Sequence, residues 1–218
     1  MKETILAILI ILSIGCNQQD NKKQENTPVV DTTDSVARNS KLKTDSIGQQ
    51  SNNTALLQLS NEILAAIKVK NYPRLASFAH PSTGIRFSPY AFVDTVVHQR
   101  ILPAQLINIS KQKKILVWGI HDGSGEPIKK SINNYFDEFV YDADFIKAPQ
   151  QAVNKILASG NSLNNLKVIY PIADFTEFYF PGFDPKYGGM DWKTLRLVFQ
   201  TENNKPWLIA IVHDEWTI

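Results

Sequence analysis

The stretch "WKTLRLVFQTENNKPWLIAIVHD", residues 192–214, constrains the fold of this chain more than any other. Its two halves, "WKTLRLVFQ" and "PWLIAIVHD", are rich in β-branched and aromatic residues and alternate in polarity, as pleated, half-buried strands require. The alternation places Leu195, Leu197 and Phe199 on one face. Only the short, turn-forming "TENNKP" separates the halves, so they are predicted to pair as an antiparallel hairpin. Two further strand signals precede them, "ILVWGI" at 115–120 and "ADFTEFYF" at 173–180.

Helical spacing is concentrated earlier in the chain. Leu56, Leu59, Ile63 and Ile67 recur every three or four residues in "ALLQLSNEILAAIKVKN", and Asn53 is placed to cap that helix. In "PRLASFAH", Pro73 suits a first helical turn and His80-Pro81 marks its end. A further amphipathic helix, "SINNYFDEFVY", has Ser131 as its cap and Ile132, Tyr135, Phe136, Phe139 and Val140 as its buried stripe. Early helices followed by antiparallel strands define an α+β class, with N-terminal helices packed on an antiparallel sheet. The order of elements over residues 54–218 resembles the nuclear transport factor 2-like superfamily. That resemblance implies a curved sheet closed by helices into a cone with a pocket. A cystatin-like arrangement, one helix against a sheet, is the alternative.

Residues 17–53 differ in kind from the chain beyond them. They are dominated by Asn, Gln, Ser, Thr and balanced charge, five basic against five acidic residues, and all 22 aromatic residues of the chain lie from Tyr72 onward. Such a segment cannot bury enough apolar surface to offset its ordering entropy, so a disordered tether is expected over residues 16–53. As a coil its ends would stand on the order of 35 Å apart. The single globular domain of residues 54–218 is long enough to bury a core of its own, and its charge balance of 17 basic to 15 acidic residues indicates no nucleic-acid partner. The short "KQKK" at 111–114 reads as a solvated turn.

The only cysteine, Cys16, ends an apolar run that begins at Ile5 after Lys2 and Glu3. The run fits an export signal over residues 1–15 and is too short for a membrane span, which needs about 20 apolar residues. The stretch Leu12-Ser13-Ile14-Gly15-Cys16 resembles the lipobox of bacterial lipoproteins. That resemblance implies cleavage before Cys16 and acylation of its sulfur, with Ser13 departing from the usual aliphatic residue. Two or three acyl chains, each buried methylene contributing about 0.8 kcal/mol, would hold the protein to a membrane stably. Asn17, in place of the aspartate that marks inner-membrane retention, implies the outer membrane of the cell envelope. The phrases "FSPY", "DGSGEPI", "GNSLNNL" and "HDEWTI" also resemble an uncharacterised family of bacterial envelope lipoproteins, a resemblance that implies no activity.

Candidate chemistry is sparse. In "WGIHDGSGEPI", His121 or Asp122 at a strand end could serve as a general base, although Asp-Gly followed by Gly125 and Pro127 is more simply a turn. Asp94 and His98 would be neighbours on a helix and about 13 Å apart on a strand, and the local pattern allows either. Arg86, beside Tyr90 in "HPSTGIRFSPY", could take an anionic group bidentately, while its alternation between Ile85 and Phe87 favours a plain outward-facing residue. The long loop "FPGFDPKYGGMDW" offers Phe183, Tyr187 and Trp192 as a stacking surface, or as a cover for the sheet edge. His213 and Glu215 share a strand face, but a zinc site needs a third protein ligand and no His-x-x-x-His pair exists, so neither metal nor cofactor is expected. A Gly-x-Ser-x-Gly elbow and a dinucleotide glycine pattern are both absent from the sequence. Paired carboxylates such as Asp174 and Glu177 carry no claim, because their separation in space is not set by the sequence. The expectation is an anchored module that binds a small molecule, a glycan or an envelope protein, with a pocket enzyme using a His/Asp pair as the alternative.

Overall fold

The computed structural model of the chain describes residues 33–217, with side chains from Gln49 onward. The expected export signal, Cys16 and the tether as far as residue 32 lie outside the described residues. Residues from Lys43 onward form one compact unit, which holds the sheets and the packed core.

Helix α1, Thr33–Lys68, begins well before Asn53. Asn53 therefore sits inside the helix rather than capping it, and residues 33–53, expected to be tether, are helical. Gly48 is the only strong helix breaker between 33 and 53, so nothing local stops the backbone from winding on ahead of the apolar stripe. Among the residues with described side chains, burial begins at Leu56 and continues through Ile63, Leu64 and Ile67. Ser60 on the same face donates to the Leu56 carbonyl and meets the Thr176 hydroxyl at 2.9 Å, a polar tie between helix and sheet.

Helix α2, Tyr72–Phe78, is capped by Asn71, whose side chain accepts the Arg74 N–H at 3.1 Å. It stops where expected. The imidazole of buried His80 then accepts the N–H groups of Ser82 and Thr83, each at 3.2 Å, and turns the chain into strand β1, Ile85–Ser88.

Strand β2 is the pair Arg100–Ile101, and α3, Pro103–Gln112, comes after it. That helix includes Lys111 and Gln112 of the "KQKK" stretch, and the turn reading holds only for its end, where Lys113 takes a left-handed conformation. Strands β3, Ile115–Ile120, and β4, Pro127–Ser131, form a separate antiparallel ribbon. Helix α4, Ile132–Phe139, starts directly from it with Ser131 as its cap.

The remaining elements are strand β5, Gln150–Val153, the short helix α5, Leu166–Ile169, and strands β6, Asp174–Phe180, β7, Lys193–Glu202, and β8, Lys205–Glu215. The main sheet has the order β2-β1-β8-β7-β6-β5. All pairs are antiparallel except β1 with β8. The predicted hairpin is present: β7 and β8 turn at Asn203 and Asn204, both at positive φ, as a two-residue hairpin turn demands. The protein is thus an α+β fold with a mostly antiparallel sheet.

Each sheet face has its own core. Leu195, Leu197 and Phe199 share the larger one with α1, α2 and α4, where Trp118 of β3 stacks on Tyr135 at 4.0 Å. The opposite face, with Phe175, Val198 and Val212, is covered by Leu166 of α5 and by Val93 from the β1–β2 connection. No described helix is long and apolar enough to cross a membrane.

Candidate functional site

Three segments far apart in sequence meet at one edge of the fold. The β1–β2 connection brings Tyr90, Phe92, Asp94, Val97 and His98, the end of β3 brings Ile120, His121 and Asp122, and the loop after β5 brings Ser162 and Leu163. Together they enclose a cleft of about 500 Å³. Both expected acid-base pairs, along with Tyr90, line this one cleft.

The pairs themselves do not form. Residues 95–97 make a turn, so Asp94 and His98 lie on neither a helix nor a strand. The Asp94 carboxylate accepts the N–H groups of Val96 at 2.7 Å and Val97 at 3.0 Å, and these bonds hold its pKa below the usual range. The His98 Nδ1 accepts the Asp94 N–H at 3.1 Å and lies 3.1 Å from the Ser88 hydroxyl. Burial lowers its pKa to about 4, so the ring is neutral. It packs so closely on Gly119 that a Cβ there would lie 3.1 Å from its Cδ2.

His121 and Asp122 show the same separation. Asp122 accepts the Gly123 N–H and, across the cleft, the Ser162 hydroxyl at 3.1 Å. The His121 ring has no hydrogen bond among the described residues and lies 6.0 Å from Phe139. The Asp-Gly turn is real, with residues 122–124 in a turn, and it forms one wall of the cleft. Tyr90 also lies 5.8 Å from Phe139, and burial raises its phenol pKa.

Two buried charge networks hold these walls. Beneath the cleft, the His213 Nδ1 faces the Pro89 carbonyl at 3.1 Å and its Nε2 faces the Asp142 carboxylate at 3.2 Å. An oxygen at each nitrogen favours the doubly protonated ring. Burial opposes that charge, but Asp142 outweighs it and raises the pKa. Lys193 pairs with both Asp142 and Glu215, and the charges of His213 and Lys193 lower the Asp142 pKa against its burial. Asp142, His213 and Glu215 do offer three ligand atoms within 4.8 Å of one another, a set whose first member lies 71 residues from His213 and has no local pattern to announce it. Those atoms face the protein's own cations, so the cluster fixes Pro89, next to Tyr90.

The second network lies on the opposite sheet face. Arg196, wholly buried, bonds Glu177 through Nε at 3.1 Å and Asp214 through Nη1 at 3.2 Å. The Ala158 N–H donates to Glu177, and its carbonyl accepts from Arg196 at 3.0 Å, so the cluster grips the loop that carries Ser162. Two residues on, a Cβ at Gly160 would lie 2.7 Å from the Trp192 ring, which leaves glycine the only residue that lets the loop pass. Glu177 thus belongs to this network, whereas Asp174 is exposed and accepts from Asn154.

The other expected site residues lie elsewhere. Trp192 is 8% exposed, packs on Gly160 and Tyr179, and offers no free stacking face. Phe183 stacks on Phe180 at 5.0 Å and Tyr187 lies under the Lys186 ammonium. Both are exposed, and neither reaches the cleft. Arg86 lies behind the 94–98 segment, where its Nη1 donates to the carbonyls of Asp94, Thr95 and His98. Phe92, Ile120, Ser162 and Leu163 were missed by sequence reasoning, since a cleft built from three distant loops leaves no local pattern. No protein-family model matches the chain, and no curated protein and no solved structure with which it was compared matches it either.

Proposed function

We propose that the chain is a lipid-anchored binding module of the bacterial envelope that holds a small, partly apolar ligand in the cleft at Tyr90, His121 and Leu163. One observation carries the reading. The cleft sets exposed Phe92, Ile120 and Leu163, 44%, 50% and 71% accessible, beside the polar groups of Tyr90, His121 and Asp122. Apolar walls with a few convergent polar groups are the usual composition of a ligand site. A neutral His98 tied to backbone and a His121 without a carboxylate partner favour binding over proton transfer. A pocket enzyme remains the second reading, because His121 and Asp122 share the cleft and a substrate would have to bridge them.

The finer fold reading is a nuclear transport factor 2-like cone, supported by α1, α2 and α4 covering one face of a mostly antiparallel sheet. A cystatin-like arrangement is its rival. The anchor rests on the lipobox resemblance at Cys16, and Asn17 supports the outer membrane as its destination.

Two measurements test the proposal. A clickable fatty acid should label the wild-type chain in cells and leave Cys16→Ser unlabelled; equal labelling of both removes the anchor. A fragment screen by thermal shift should find ring-bearing amphipathic molecules that stabilise the chain, with binding at least ten-fold weaker in Leu163→Asp. Leu163 is largely exposed, so that variant keeps its fold. A screen without hits, or hits indifferent to Leu163→Asp, would sink the cleft as the binding site, and turnover of a hit would favour the enzyme.

A further inference from the structure

Behind the 94–98 segment lies a second, smaller pocket of about 170 Å³, walled by Thr83, Arg86, Thr95, Arg100, Tyr170 and Gln200 among others. Its two arginines are direct cross-strand partners, Arg86 on β1 opposite Arg100 on β2. Like charges placed opposite one another repel, and sheets normally avoid the arrangement or answer it with a carboxylate. Neither guanidinium has a carboxylate within ion-pair distance among the described residues, although Arg74 and Arg196 do.

The rest of the pocket supplies donors and no counter-charge. Arg86 is held by three carbonyls on Nη1 and Arg100 is tethered by one bond from Nε to the Thr83 carbonyl, and both guanidiniums keep N–H groups to spare. The Thr83 hydroxyl is shielded from solvent and has no partner among the described residues. Tyr170 lines the same pocket as the two arginines, and burial raises its phenol pKa against the opposing charge of Arg86 and Arg100.

We infer that this pocket binds a phosphate group, held between the guanidinium forks of Arg86 and Arg100 with the hydroxyls of Thr83 and Tyr170 as further donors. Planar forks suit phosphate oxygens, and a fork already held loses less freedom on binding. Two hydroxyl donors beside the forks match a tetrahedral oxyanion better than a flat carboxylate. The phosphate can come from solution or from a lipid headgroup. Exposed Val96, Val168 and Ile172, 91%, 79% and 95% accessible, lie within two residues of pocket residues Thr95, Ile169 and Tyr170 in sequence and would suit the lipid source.

The test is calorimetric titration of the full-length chain with inorganic phosphate and, separately, with dihexanoyl phosphatidylglycerol below its micelle concentration, each at constant ionic strength in chloride. Arg100→Gln is the diagnostic variant, because Arg100 is exposed and its loss leaves the Arg86 carbonyl contacts in place. Saturable binding of inorganic phosphate, weakened ten-fold or more in Arg100→Gln, supports a soluble phosphate ligand. Tighter binding of the short lipid, with the same loss, supports the headgroup. Binding of neither probe, or binding unchanged in Arg100→Gln, overturns the inference, and a Tm of the variant matching wild type shows that the fold was intact.

Discussion

His98 and His213 flank the same short stretch of chain, and their surroundings push them in opposite directions. Burial takes the His98 pKa down to about 4 from 6.5, against the opposing pull of the nearby Asp94 carboxylate. The unfolded chain therefore takes up this proton first, and stability due to His98 is full above about pH 6.5 and is lost as pH falls toward 4. For His213, Asp142 raises the folded pKa above 6.5, so its contribution is full below that value and is lost as pH rises through the folded pKa. The expected profile of urea midpoint against pH is a hump with a histidine on each limb. His98→Gln should flatten the acid limb between pH 6.5 and 4, and His213→Gln the alkaline one. Identical profiles for wild type and both variants would show that the rings titrate as they do in the unfolded chain.

Elements were legible where one residue pattern decided them and illegible where tertiary contacts did. The β7–β8 hairpin, α2 and α4 each combine a periodic apolar stripe with a local stop or cap, and each stands where the sequence put it. Strand β2 has two residues and α3 buries only Leu106, so neither leaves a stripe to read. Arg196 and Glu177 illustrate the opposite difficulty: charged residues in a strand suggest a solvated face, yet both are fully buried because they satisfy each other. Helix α1 shows both regimes within one element. Its buried turns from Leu56 onward were predicted, while the turns before it carry no apolar stripe and were not. Proline substitution separates them. Ala65→Pro, at an exposed position among the buried turns, should cost about 3 kcal/mol or more in urea denaturation. Ser51→Pro, at an exposed position ahead of Leu56, should cost less than about 1 kcal/mol. Equal costs would mean that the early turns are held as firmly as the late ones.

At the scale of the whole molecule, the two pockets share a wall. Asp94, Val97 and His98 line the larger cleft, while the carbonyls of Asp94, Thr95 and His98 receive Arg86 from the other side. If phosphate engages the free edge of Arg86, it bears on the frame on which the cleft wall rests, and the two sites are then expected to be coupled through residues 94–98. Linkage then fixes the form of the result: whatever factor phosphate applies to the affinity of a cleft ligand, that ligand must apply to phosphate. The factor is expected to fall in the range of about 5 to 150 that couplings of about 1–3 kcal/mol produce. Titrating a cleft ligand with and without saturating phosphate, then phosphate with and without saturating ligand, measures it twice. Equal factors different from unity, in either sense, would establish the coupling. A factor of one in both directions would mean that the 94–98 segment is rigid enough to keep the two sites independent.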